Sequence, residues 1–109
     1  NTKEKKIIDD YIKFKNLLEI RTDKYNNFSP SQWTKFIEEN HMNIDTVKLL
    51  IGNGGLFWRP LFKWLYIYRN IQSNKNGEDL KSDGWFEGKE MGEELRRLRY
   101  LQIDNYKKN

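Results

Sequence analysis

Arg59, Lys63, Arg69 and Lys75 stand in one segment with Phe57, Trp58, Phe62, Trp64, Tyr66 and Tyr68, and no acidic residue interrupts residues 57–75. Cations interleaved with aromatic rings are what a nucleic-acid contact needs. The cations neutralise phosphates, and the ring faces stack on bases. If nucleic acid is the ligand, Arg59, Lys63 and Arg69 are expected to carry it, helped by Lys48 and by Arg96, Arg97 or Arg99. The same residues have a plainer use, since Arg and Lys keep the one wet edge of a buried helix in water.

Trp, Tyr and Arg are also the residues most enriched at protein-binding hot spots. Four tryptophans in 109 residues exceed the packing needs of so small a chain. Trp58, Trp64, Tyr66 and Tyr68 therefore form a first candidate surface for a protein partner, and Trp85 with Phe86 a second. The alternative to nucleic-acid binding is thus a protein-interaction module, a small inhibitor or adaptor of the kind phages and plasmids carry.

A third pattern lies between Trp33 and Ile51. It resembles a helix-turn-helix, with apolar Met42 in the turn and apolar Val47 and Leu50 after it. Ile37 stands where a small residue is usual, and the turn has no glycine. The face that would read bases offers Asp45, Thr46, Lys48 and Asn43, without an arginine.

Catalysis finds little material. With no cysteine, disulfides, thiolate zinc sites and cysteine nucleophiles are excluded together. One histidine, His41, excludes metal centres that need two or three, and its place in a helix–helix turn reads as a cap or surface residue and not as a catalyst. The acid pairs Asp9-Asp10, Glu38-Glu39, Glu78-Asp79 and Glu93-Glu94 are adjacent, so on a helix their carboxylates diverge by about 100°. Gly52-Asn53-Gly54-Gly55 follows a helix and precedes no Lys-Ser/Thr, which makes it a helix stop and no phosphate loop. No cofactor and no metal is expected, and the chain reads as non-enzymatic.

The elements that must position these residues are helical. Ile7, Tyr11, Phe14 and Leu18 follow the helical period, widened by Ile8 and Ile12, and predict a helix over about 3–22. A polar connector over 23–27 ends it. Ser29, Pro30 and Gln32 make a capping-box start for a second helix, with Phe28 and Trp33 as its hydrophobic staple. A third begins at Asn43 or Asp45 and turns Ile44, Val47, Leu50 and Ile51 inward. The fourth starts near Trp58 or Arg59, because Pro60 is tolerated only in a first turn, and runs to Ile71 with apolar residues on every side. Residues 73–84 read as a polar loop. A last helix from about Glu87 to Asn105 turns Met91, Leu95, Leu98 and Leu101 inward and pairs Glu93 with Arg97. Gly88 and Gly92, four apart, suggest a face for self-association.

The expectation is an all-α domain over residues 1–109, of about five helices, around one core containing Trp33, Phe36, Leu50, Leu61, Leu65, Leu95 and Leu98. With 20 basic and 16 acidic residues it carries a net charge of +4. No run approaches the ~20 apolar residues of a membrane span. The amphipathic N-terminus lacks the apolar core of a signal peptide, which favours an intracellular, cytoplasmic setting.

Overall fold

A computed structural model describes residues 1–106 and is all-helical over them. Seven α-helices and one short 3-10 turn follow in order: α1 Thr2–Ile20, α2 Thr22–Tyr25, α3 Pro30–Glu39, α4 Ile44–Gly52, α5 Trp58–Tyr66, the 3-10 turn Tyr68–Asn70, α6 Gly77–Ser82 and α7 Lys89–Asp104. The chain divides into two compact units, residues 1–69 and 70–109.

In the first unit the caps are chemical. The Asn1 side chain accepts from the backbone N–H of Lys3 and Glu4 and starts α1. α3 begins with the full capping box: Gln32 N–H donates to Ser29 Oγ at 3.2 Å, and Ser29 N–H donates to Gln32 Oε1 at 2.8 Å. Phe28 packs edge-on against Trp33 with ring centroids 5.3 Å apart, completing the staple. The Asn43 side chain caps α4, and Gly54, at a φ of 63°, supplies the left-handed residue just past its end.

α1 buries Phe14 and Leu18 and half-buries Ile7 and Tyr11, as their spacing predicts, but Ile8 and Ile12 remain exposed. The buried stripe is narrower than the apolar one. α4 packs against both α1 and α5, and α3 packs against α5. This sandwiching buries Thr46 completely, where its hydroxyl donates to the Ile7 carbonyl at 3.3 Å. Thr46 therefore leaves the face on which a helix-turn-helix would read bases, and that resemblance loses one of its few polar readers. Ile44 of α4 is exposed instead of inward.

Residues 23–27 are more ordered than a connector. A single helical turn, α2, carries Tyr25 into an aromatic cluster with Phe28, Trp33, Phe36 and Phe57, whose nearest ring centroids lie 5.0 to 5.3 Å from one another. Phe36 is half-buried in it, while Ile37 one position on is fully enclosed.

In the second unit, α6 interrupts what reads as a loop. Asn76 and Asp79 form a reciprocal capping box, each side chain accepting from the other's backbone N–H at 2.9 Å. The helix buries one residue, Leu80, and packs against α7. α7 buries Met91 and Ile103 and half-buries Leu95 and Leu98, but Leu101 is exposed. Gly88, at a φ of 142°, lies before the helix as its N-cap. Gly92 N–H donates to the Gly88 carbonyl at 3.1 Å, so the two glycines lie one turn apart, with only Gly92 inside the helix. The expected Glu93–Arg97 pair is replaced by Glu94–Arg97, where the guanidinium donates through Nε and Nη2 to the two carboxylate oxygens at 2.6 and 2.8 Å.

Candidate functional site

α5 carries the candidate site because its two faces differ. Leu61, Trp64 and Leu65 are buried, whereas Trp58, Phe62 and Tyr66 are 42%, 43% and 60% exposed. Residues four apart advance by about 40° around a helix, so 58, 62 and 66 form one slowly turning line of rings. Phe62 and Tyr66 lie 4.6 Å apart between centroids. Arg59 and Lys63, also four apart, make a second line beside the first. The Arg59 guanidinium stands 5.5 Å from the centre of the Trp58 ring, within cation–π range.

The helix is held in this orientation from beneath. Trp64 donates its indole N–H to Glu38 Oε2 of α3 at 3.0 Å, so its polar atom is satisfied inside the fold. Pro60 falls in the first turn, where a missing N–H removes no helix bond. α5 ends at Tyr66 and does not continue to Ile71. Tyr68, in the 3-10 turn that follows, is buried.

Beside the cationic line lies a cleft of about 290 Å³. Arg59 and Lys63 form the α5 wall, and Tyr25, Phe28, Trp33 and Phe57 bring the aromatic cluster to its surface. Asn26, Pro30, Pro60 and Tyr68 complete it, and no acidic residue lines it. Burial pushes the Tyr25 phenol up from its ordinary pKa of 10.0, partly offset by the charge of Arg21.

Comparison with known protein families, with characterised proteins and with solved structures finds no match. Fold and site therefore rest on the residues themselves.

Of the sequence-predicted basic residues, the structure brings Arg59 and Lys63 together on one helix edge. Arg69 is half-buried in the 3-10 turn and does not line the cleft. Lys48 is exposed on α4 and is likewise not part of it. Lys75 lies outside α5 altogether, paired with Asp83 at 2.7 Å. In the second unit Arg97 is committed to Glu94, and Arg99 donates through Nε to the Ile71 carbonyl at 2.8 Å. Arg96 and Arg99 line a separate open cleft with Lys75.

The aromatic candidates sort as sharply. Trp64 and Tyr68 are buried, Tyr68 reaching the surface only at the cleft wall, which corrects the expectation that both belong to an exposed interaction surface. Trp58 and Tyr66 are exposed, as are Trp85 and Phe86, the latter at 89%. Phe62 and the cleft residues Asn26 and Phe28 were not among the predicted site residues. The signal for Phe62 was present in its four-residue spacing from both Trp58 and Tyr66.

Among the described residues, no helix is long and apolar enough to cross a membrane.

Proposed function

We propose that this protein is a non-enzymatic nucleic-acid-binding module that holds a single strand against the outward face of α5. The observation that carries the reading is the pairing of two lines on that face, rings at Trp58, Phe62 and Tyr66 beside cations at Arg59 and Lys63. Single-strand binders combine these two elements, stacking bases on aromatic faces while cations track the phosphates. Duplex reading through α4 has less support, because Thr46 is enclosed and the exposed face of that helix offers no arginine.

Anisotropy titrations with labelled single-stranded DNA and RNA test the stacking half of the proposal. Phe62→Ala and Tyr66→Ala should each cost about 1–3 kcal/mol of binding, with little dependence on base sequence. Unchanged affinity in both variants would remove the ring line from the interface.

A protein partner is the second reading. Leu56 and Phe86, at 65% and 89% exposure, favour it, since they add exposed apolar surface outside the face formed by Trp58, Phe62 and Tyr66. Under that reading the losses fall on Trp58, Trp85 and Phe86, vary little with salt, and no oligonucleotide binds.

A further inference from the structure

The outward face of α5 has a counterpart of opposite charge in the same chain. Residues 57–75 hold four basic residues and no acidic one, whereas residues 87–94 hold four glutamates and one lysine. We infer that the exposed face of α5 docks the start of α7 of a second copy, with Glu90 and Glu93 set against Arg59 and Lys63, and that this contact masks the face until a strand displaces it. The docking stands apart from the strand-binding reading, while the displacement rests on it.

Both sides of this contact are unengaged in the single chain. Arg59, Lys63, Glu90 and Glu93 are all exposed, and among the described residues none of the four makes an ion pair. The other acids of the segment are already used, Glu87 by Lys81 at 2.7 Å and Glu94 by Arg97. The spacings agree as well. Arg59 and Lys63 are four apart on α5, and Glu90 and Glu93 are three apart on α7, so each pair holds its charges as helix-surface neighbours about 5–6 Å apart. Two such helices laid side by side match cation to carboxylate twice.

Exposed ion pairs contribute little by themselves, so apolar contact has to supply the rest. Trp85 lines an open cleft with Glu90 and Glu93, and Phe86 next to it is almost wholly exposed. On α5 the line of Trp58, Phe62 and Tyr66 runs beside the cations. Each face therefore sets charge next to exposed rings, and bringing the two together covers the rings while opposite charges meet. Aromatic anchors ringed by polar groups are the usual make-up of an interface hot spot. The net charge of +4 on each chain opposes association at long range, but at about 0.1 M salt it is screened beyond about 10 Å, whereas the paired charges act at contact.

Sedimentation velocity on the full chain tests the docking. At about 0.1 M salt the sedimentation coefficient should rise with protein concentration, and the association constant should fall by about tenfold at high salt. Arg59→Glu/Lys63→Glu and Glu90→Lys/Glu93→Lys should each remain monomeric over the same range. An equimolar mixture of the two should associate again, because the acidic α5 edge of one then meets the basic α7 of the other. Phe86→Ala should weaken self-association by about tenfold and leave oligonucleotide binding unchanged. A saturating single-stranded oligonucleotide of about eight nucleotides should return the wild type to one chain per strand. A wild type that stays monomeric at every concentration, or a mixture no more associated than its components, would overturn the docking. Copies that remain associated while the oligonucleotide binds would overturn the masking. If the copies associate and no oligonucleotide binds at low salt, the strand-binding reading and the displacement fail together and the docking stands.

Discussion

Trp64 shows how one polar atom settles the use of a residue. Its composition class points to an interface, but its indole N–H finds Glu38 at 3.0 Å inside the fold, and the ring belongs to the core. Trp64→Phe should therefore destabilise the protein by about 1–3 kcal/mol through the lost hydrogen bond and lost volume, and leave ligand affinity unchanged. Urea denaturation beside a binding titration separates the two effects, and a change of affinity at constant stability would place Trp64 in the interface after all. Ser29→Ala belongs to the same class. Losing the Oγ that accepts from Gln32 N–H should cost about 0.5–2 kcal/mol without touching binding. Arg59 and Lys63 are the converse case: both are exposed on the α5 edge, and on the proposed reading their charge reversal should weaken binding with stability little changed.

Helices whose residues repeat on one period were legible from the sequence, and those held by a short cap were not. Ile7, Tyr11, Phe14 and Leu18 mark α1, and Ser29, Pro30 and Gln32 mark the start of α3 to the residue. α6 was missed because six residues with one apolar side chain, Leu80, carry no period; only the Asn76/Asp79 spacing announces it. The two faces of α5 were hidden for the opposite reason, since apolar residues occupy both and only tertiary contact decides which is covered. Burial then grades the predicted cost of truncation. Leu65→Ala, at an enclosed position, should cost about 2–5 kcal/mol, whereas Leu98→Ala, half-buried, should cost less; equal losses in thermal melts would contradict this grading. α7 also has a pH signature. Its hydrogen bonds from Arg97 hold the Glu94 carboxyl below its ordinary value of 4.5, so the pairing is fully present above that value and is lost as pH falls through the lowered one. Amide protection in the turn of α7 around Glu94 and Arg97, taken relative to the intrinsic exchange rate at each pH, should fall in that acidic window, and the pH-dependent part should vanish in Glu94→Gln.

The charge of the whole molecule is unevenly shared. Residues 1–69 hold 12 basic and 8 acidic groups, while residues 70–109 hold 8 of each, so the entire excess of +4 lies in the unit that contains α5. On the proposed reading, a phosphate ligand would be drawn to the unit that carries the ring line and the cleft. This asymmetry could be counted from the sequence, but the line between the units could not, and neither could the convergence of Arg59 and Lys63 on a cleft without carboxylates. The central claim, phosphate contact through that edge, is tested most directly by the salt dependence of single-strand binding in the wild type and in the Arg59→Glu/Lys63→Glu double variant. The slope of log affinity against log salt should be negative in the wild type and shallower by about two units in the variant, with affinity falling alike on all sequences. A wild-type affinity indifferent to salt, or an identical slope in the variant, would contradict the account.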